Sequence, residues 1–214
     1  MINNVSKSII QRFGVNKFVE TGVFMGDTMM IVQDWFCELY GDKFNVGPWT
    51  VGRVELGPYQ MYEVEISEEY IRSYIQPKWQ QQANVRIFQS DSVEFFRQMI
   101  ARREFKDSDR CFFYLDAHSH GSPNPEPLRD EIQQLTRLNC FPIISVDDWN
   151  VPGKNPDIYN IDMIRDLIKD CTDVVYYSDK HNFHGKWSVF IFLNQKASEL
   201  DSQLLGLPLI KNLL

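Results

Sequence analysis

The sequence has no Cys-x-x-Cys pair, no surplus of basic charge, no apolar run of membrane-spanning length and no internal repeat. Each absence removes a class of protein. Its four cysteines, Cys37, Cys111, Cys140 and Cys171, stand far apart. They read as reduced, mostly buried thiols of a cytoplasmic protein rather than as a disulfide framework or a zinc site. The net charge is −7, so a nucleic-acid backbone is a poor partner. Residues Met1–Ile10 lack the apolar core of a secretion signal, and nothing else in the chain suggests a membrane anchor. With 214 residues, 43% of them apolar and 24% charged, the composition fits one soluble α/β domain over 1–214.

The chain is organised around Lys17-Phe-Val-Glu-Thr-Gly-Val-Phe-Met-Gly-Asp-Thr28. A short β-rich run, Lys17–Thr21, meets a glycine; a second glycine follows four residues later, and then an apolar helical run, Met29–Tyr40. Strand, glycine turn and helix open a doubly wound domain and surround a small polar ligand with backbone N–H groups, a helix N-terminus and one acid, Glu20. The third glycine of the dinucleotide fingerprint is missing, which argues against a pyrophosphate. A ligand with a charged amino-acid end and a nucleoside end fits better.

A leading helix is expected over Asn4–Phe13, ending near Gly14. After the first strand and helix, residues 41–60 carry four glycines and two prolines, an inserted loop or small hairpin. The second strand is Met61–Ile66; Ser67 caps a helix that stops near Pro77. The third strand is Val85–Gln89, with Ser90 or Asp91 capping Val93–Arg103. The fourth, Cys111–Ala117, is nearly all apolar, as a central parallel strand should be. A loop, His118–Pro125, leads to helix Pro127–Leu138 and a fifth strand, Pro142–Asp147. A helix over Ile158–Asp170 precedes strands Asp173–Ser178 and Trp187–Leu193, an antiparallel hairpin because no helical pattern lies between them. The expected fold is thus a Rossmann-like, doubly wound, seven-stranded sheet, mostly parallel with an antiparallel last strand and helices on both faces. The apolar tail, 196–214, should dock on the body or on a second subunit as a homodimer.

Ligands of an open parallel sheet bind beyond the carboxyl ends of its strands. Those ends carry Glu20, Glu65, Asp91, Asp116 with His118, and Asp147 with Asp148. Helix capping explains Asp91 well and Asp148 fairly. It does not explain Glu20, Glu65 or Asp116, which stand within or at the end of strands, where carboxylates are disfavoured. Glu65 can accept both hydroxyls of a ribose; its distance from the glycine turn exceeds the usual ~20 residues because the 41–60 insertion intervenes. Asp91 can meet the exocyclic amine of adenine. Glu63 is unexpected inside a strand, and exposure beneath the insertion is the reading taken for it.

Five stretches, Glu20-Thr-Gly-Val-Phe-Met-Gly26, Tyr62-Glu-Val-Glu-Ile66, Gln89-Ser-Asp-Ser92, Phe113-Tyr-Leu-Asp-Ala-His118 and Ser145-Val-Asp-Asp-Trp149, resemble in order the motifs of class I S-adenosylmethionine (SAM)-dependent methyltransferases. The last two resemble the metal-dependent O-methyltransferases of the macrocin and catechol types. The resemblance implies that Glu20, Thr21, Gly22, Gly26, Asp27, Thr28, Glu65, Asp91, Ser92 and Asp116 hold SAM, and that Asp116, Asp147 and Asp148 hold Mg²⁺, or Mn²⁺ or Ca²⁺. Three crowded carboxylates cannot all ionise without a cation, and an all-oxygen set suits these ions. Where the catechol-type enzymes carry a lysine base, this chain has Ser119. His118, two residues past Asp116, is then the base candidate. His120, His181 and His184 have ordinary loop readings, and Trp149 and Phe183 ordinary packing readings.

The expected activity is methyl transfer from SAM to a hydroxyl of a small molecule or sugar, assisted by the metal. Two other readings keep the fold: a metal-dependent hydrolase or hydroxylase-like enzyme, and a non-catalytic SAM-binding protein.

Overall fold

The computed structural model describes residues 2–41, 58–80, 82–117, 127–147, 160–171, 173–179 and 188–212. Helix α1, Asn4–Phe13, is capped by the Asn3 side chain, which accepts from the N–H groups of Val5 and Ser6. Strand β1, Lys17–Thr21, leads through the glycine turn into α2, Asp27–Tyr40. Strand β2, Gln60–Glu65, is followed by α3, Glu68–Tyr70, a π-helical stretch Ile71–Ile75, and α4, Gln76–Trp79. Then come β3, Val85–Gln89; α5, Ser92–Ala101; β4, Arg110–Leu115; α6, Leu128–Leu135; and β5, Phe141–Val146. Helix α7, Ile161–Ile168, strands β6, Val175–Asp179, and β7, Ser188–Phe192, helix α8, Ala197–Gln203, and strand β8, Leu209–Asn212, complete the chain.

The strands lie in the order β3-β2-β1-β4-β5-β7-β6-β8. The first five are mutually parallel, and β7 runs antiparallel between β5 and β6. This is the expected doubly wound sheet with its terminal hairpin. The tail adds what the sequence reading did not foresee, an eighth strand antiparallel to β6. It docks on the body: Leu200 and Leu204 enter the core, and Arg12 of α1 donates to the carbonyls of Gln203 and Leu205 at 2.9 and 2.8 Å.

The side-chain period of 2 divides each central strand between two apolar layers. Phe18, Met61, Phe112, Ile143 and Phe190 face the layer formed with α1, α2, α4 and α8. Val19, Val64, Phe113, Ile144 and Ile191 face the layer formed with α5, α6 and α7. The central strands are therefore buried on both sides, which explains their nearly unbroken apolar sequence.

One expected boundary is corrected. The helix after β2 does not stop at Pro77; it continues to Trp79, which is buried in the first layer. Proline lacks an N–H and its ring collides with the carbonyl four residues back in a regular α-helix. Here a π turn precedes it, with the Gln76 N–H bonded to the Ile71 carbonyl, and Pro77 falls in the first turn of α4, where proline is tolerated.

All four cysteines are free, three of them buried; Cys111 and Cys140 bring their Sγ atoms to 3.8 Å. Among the described residues no helix is long and apolar enough to cross a membrane.

Candidate functional site

The site is built on β1, all five of whose residues are buried. In register, Glu20 pairs with Glu63 of β2 and with Tyr114 of β4, and Tyr114 pairs with Ser145 of β5. Paired residues of parallel strands point to the same face, so these four form one row across the sheet. The ladder continues past the strand ends: Gly22 N–H donates to Val64 O, Asp116 N–H to Thr21 O, and Asp147 N–H to Leu115 O, at 3.0, 3.2 and 3.3 Å. A second row thus stands two residues further on, Glu65–Gly22–Asp116–Asp147, on the same face. Of the acids singled out at the strand ends, Glu20, Glu65, Asp116 and Asp147 fall in these two rows.

Gly22 is the hinge of the arrangement. Its φ is +74°, and a Cβ placed there would lie 2.5 Å from the Asp116 carbonyl oxygen and 2.7 Å from Ala117 Cα. No side chain fits there: only glycine lets the turn after β1 pack this closely against the backbone at the end of β4. Gly26, at φ +75°, caps α2 with no side-chain hydrogen bond, and its missing Cβ makes room for the Trp79 indole nitrogen, 3.2 Å from where it would stand. The cap residue of α2 thus offers no side-chain acceptor to the first-turn N–H groups, and an anionic group is favoured at such an end.

Between these glycines Phe24 has φ +53°, a left-handed conformation that a bulky residue rarely adopts. Glu65 holds it: Oε2 accepts the Phe24 N–H at 3.0 Å, and Oε1 accepts the Ser67 N–H at 2.8 Å. One buried carboxylate thereby fixes the glycine turn against the end of β2. The Phe24 ring, 52% exposed, meets Tyr70 edge-on at 4.8 Å.

Buried acids dominate the electrostatics. Burial raises the Glu20 carboxyl well above the usual range; the charges of Glu63 and Asp116 add to this, and the Thr28 hydroxyl offsets part of it. Burial likewise pushes Glu63 up to about 8, with Lys78 pulling the other way. Tyr114 donates its hydroxyl to Asp147 Oδ2 at 2.7 Å, and burial, followed by the charges of Asp116 and Asp147, raises its phenol. Glu63 corrects the sequence reading. It is 0% exposed, and neither of its carboxylate oxygens is hydrogen-bonded among the described residues. The signal was present in the alternation Met61, Glu63, Glu65, which puts all three on one face of β2. Tyr114 was missed because a tyrosine among apolar strand residues reads as core.

The remaining candidates divide. Thr21 is fully buried in β1. Asp27 opens α2 and pairs with Lys78 at 3.4 Å, exposed at the rim of the turn. Asp91 stands on the next strand outward and caps α5, Oδ1 accepting from Val93 and Glu94 at 3.0 and 3.2 Å, with Ser92 buried behind it. Asp116 is half-buried and Asp147 buried. His118 and Asp148, with His120, Ser119, Trp149, His181, Phe183 and His184, lie outside the described residues. Among the described residues no three His, Cys, Asp or Glu side chains gather as a metal-binding group.

No protein-family model matches the chain, and no curated protein matches it in sequence. Solved structures do match in shape. A SAM dependent methyltransferase from Agrobacterium tumefaciens superposes with a TM-score of 0.53 at 10% identity, over 89% of this chain and 60% of that one. A SAM dependent methyltransferase from Aquifex aeolicus gives 0.48 at 14% identity, over 89% of each chain. Spermidine synthase from Thermotoga maritima gives 0.48 at 14% identity, over 87% of this chain and 56% of that one. At such identities the likeness is one of fold: the first supports the doubly wound, Rossmann-like architecture, and the two lower scores add no weight.

Proposed function

We propose that the chain is a SAM-dependent methyltransferase that transfers a methyl group to a hydroxyl of a small molecule or sugar, assisted by Mg²⁺ or a similar ion. The observation that carries this reading is the row Glu65–Gly22–Asp116–Asp147 across four adjacent strand ends, with a glycine at the one position where a side chain would collide. Buried acid around a glycine turn suits a ligand with net positive charge, and SAM carries a sulfonium and an ammonium against one carboxylate. The first-turn N–H groups of α2 suit that carboxylate. Glu65 would take the ribose hydroxyls on its remaining lone pairs while still holding the turn, and Asp91 would meet the adenine amine. SAM supplies the activated methyl group.

In this reading the residues of the chain orient and exclude. Glu20 and Glu65 fix the ligand's two ends, and alignment of the acceptor for an in-line displacement supplies much of the rate. Asp116 stands nearest the turn on the acceptor side, and His118, just beyond it in the chain, would take the acceptor's proton. Asp116 and Asp147, adjacent in register, offer two oxygen ligands, and Asp148 would add a third; a divalent ion there would lower the pKa of the acceptor hydroxyl. Tyr114 holds the Asp147 carboxylate in place for that role.

Calorimetry of the folded protein with SAM tests the first step: saturable heat is expected, and its absence at millimolar ligand discards the proposal. Methyl transfer from SAM to pooled hydroxyl acceptors should then depend on added Mg²⁺ and fall sharply in Asp147→Ala. Transfer unaffected by both would remove the metal, and SAM binding without any transfer would favour a non-catalytic binding protein.

A further inference from the structure

Glu63 stands in the deeper row of the site, and the methyl-transfer reading gives it no role. It sits inside β2, one two-residue repeat deeper than Glu65, about 6–7 Å along the strand. Its side chain is fully buried, and neither oxygen has a hydrogen-bond partner among the described residues. An unpartnered buried carboxyl is a cost to the fold, which a methionine or leucine there would not impose. Its neighbour in register is Glu20 of β1, on the same face and equally buried. The groups facing it are few: Glu20 from β1, the apolar Ile87 from β3, and Lys78 from α4. Lys78 is itself engaged by the Met25 carbonyl at 2.9 Å and by Asp27 of α2 at 3.4 Å. Asp116 acts on Glu20 from the other side.

We infer that Glu63 is a positioning residue for a cationic ligand at the glycine turn: its carboxyl carries a proton while the turn is empty and releases it when the ligand's positive charge settles over Glu20. The inference rests on the SAM reading and deepens it. Two buried carboxyls side by side resist ionising together, and burial raises both, so the empty site keeps Glu63, like Glu20, in the neutral form at pH 7. A cation arriving above Glu20 reverses the balance. The Glu63 O–H bond breaks, the proton passes to solvent, and the carboxylate left behind places its field beneath the ligand, beside the Glu20 carboxyl that burial also raises. Charge is conserved, one cation gained for one proton lost, and no other reactant is needed. Affinity for the cation should then rise with pH up to about 8, where Glu63 ionises unaided, by up to about tenfold per pH unit.

The test is calorimetry of SAM binding at pH 7 in phosphate and in Tris, whose ionisation enthalpies differ widely. Proton release makes the two heats differ, by close to one proton's worth per ligand bound. E63Q should lose most of that difference. Its affinity should stay within about twofold of the natural protein's at pH 6 and fall roughly 50- to 100-fold below it at pH 8.5. E63M, which removes the carboxyl without leaving a buried amide, serves if E63Q does not fold. Equal heats in the two buffers, or a difference that survives both substitutions, overturn the inference while leaving SAM binding intact. No heat in either buffer from folded protein removes the SAM reading and this inference with it.

Discussion

At the scale of single residues, Gly22 and Glu63 set the two sharpest expectations. A Cβ at Gly22 would meet the Asp116 carbonyl oxygen at 2.5 Å, backbone against backbone, with φ at +74°. Gly22→Ala should therefore cost on the order of 1–3 kcal/mol in urea unfolding and abolish SAM binding, since relief requires moving the end of β4. For Glu63 the sign follows from its folded-state carboxyl being raised from 4.5 to about 8. The folded protein holds this proton more tightly than the unfolded chain. The resulting stabilisation is complete below about pH 4.5 and is lost as pH rises through about 8, a change of roughly 4–5 kcal/mol if Glu63 acts alone. Unfolding free energies measured from pH 5 to pH 8.5 should fall in the natural protein and fall much less in Glu63→Gln; parallel profiles would show that other groups carry the dependence. The gathering of Glu20, Glu65 and Asp116 at adjacent strand ends was legible in the sequence, because an acid at the end of an apolar strand has few structural uses. Glu63 and Tyr114 were not read correctly, because burial of one face of β2 and a hydroxyl's single partner are facts of tertiary packing that the local pattern states only weakly.

At the scale of elements, the glycine turn couples parts that are separate in sequence. Glu65 bonds Phe24 on one side and Ser67 on the other, so the turn, β2 and the start of α3 share one carboxylate. Asp91 shows how two roles at an element end can be separated. As the cap of α5 it accepts from two N–H groups, so Asp91→Ala should lower stability by about 1 kcal/mol. Asp91→Ser should restore the cap and the stability but not a carboxylate's contact with adenine. Weakened SAM affinity in the serine variant, read by calorimetry beside its unfolding midpoint, would establish the ligand role; affinity equal to the natural protein's would leave Asp91 as a cap alone. Most strands and helices were placed correctly from apolar periodicity. The helix through Pro77 was cut short because a π turn has no sequence signature that outweighs proline's ordinary effect.

At the scale of the whole molecule, the eight-stranded sheet has two different halves. Strands β3-β2-β1-β4-β5 are parallel and carry the candidate site; β7, β6 and β8 are antiparallel neighbours that close the other end. The tail secures that end through Leu200 and Leu204 in the core, and through Asp201, which accepts from the Tyr177 hydroxyl at 2.8 Å and from Lys211 at 2.7 Å. Ending the chain before Ala197 should cost roughly 3–6 kcal/mol in urea unfolding from the two leucines alone. It should also bare the edge of β6 and promote self-association, visible by light scattering. The hairpin was legible because the sequence between its strands carries no helical pattern; β8 was not, because its pairing depends on a surface that exists only once β6 and β7 have formed. The parallel half carries a consequence for how the molecule is made. β1 meets β2 along one edge at Lys17 with Gln60, but its other edge waits for Cys111. During synthesis the strand that carries Glu20 thus emerges early and stays half-paired until β4 leaves the ribosome. The closure that sets Gly22 against Asp116 is a late step, and loop-closure entropy over that span makes it a slow one.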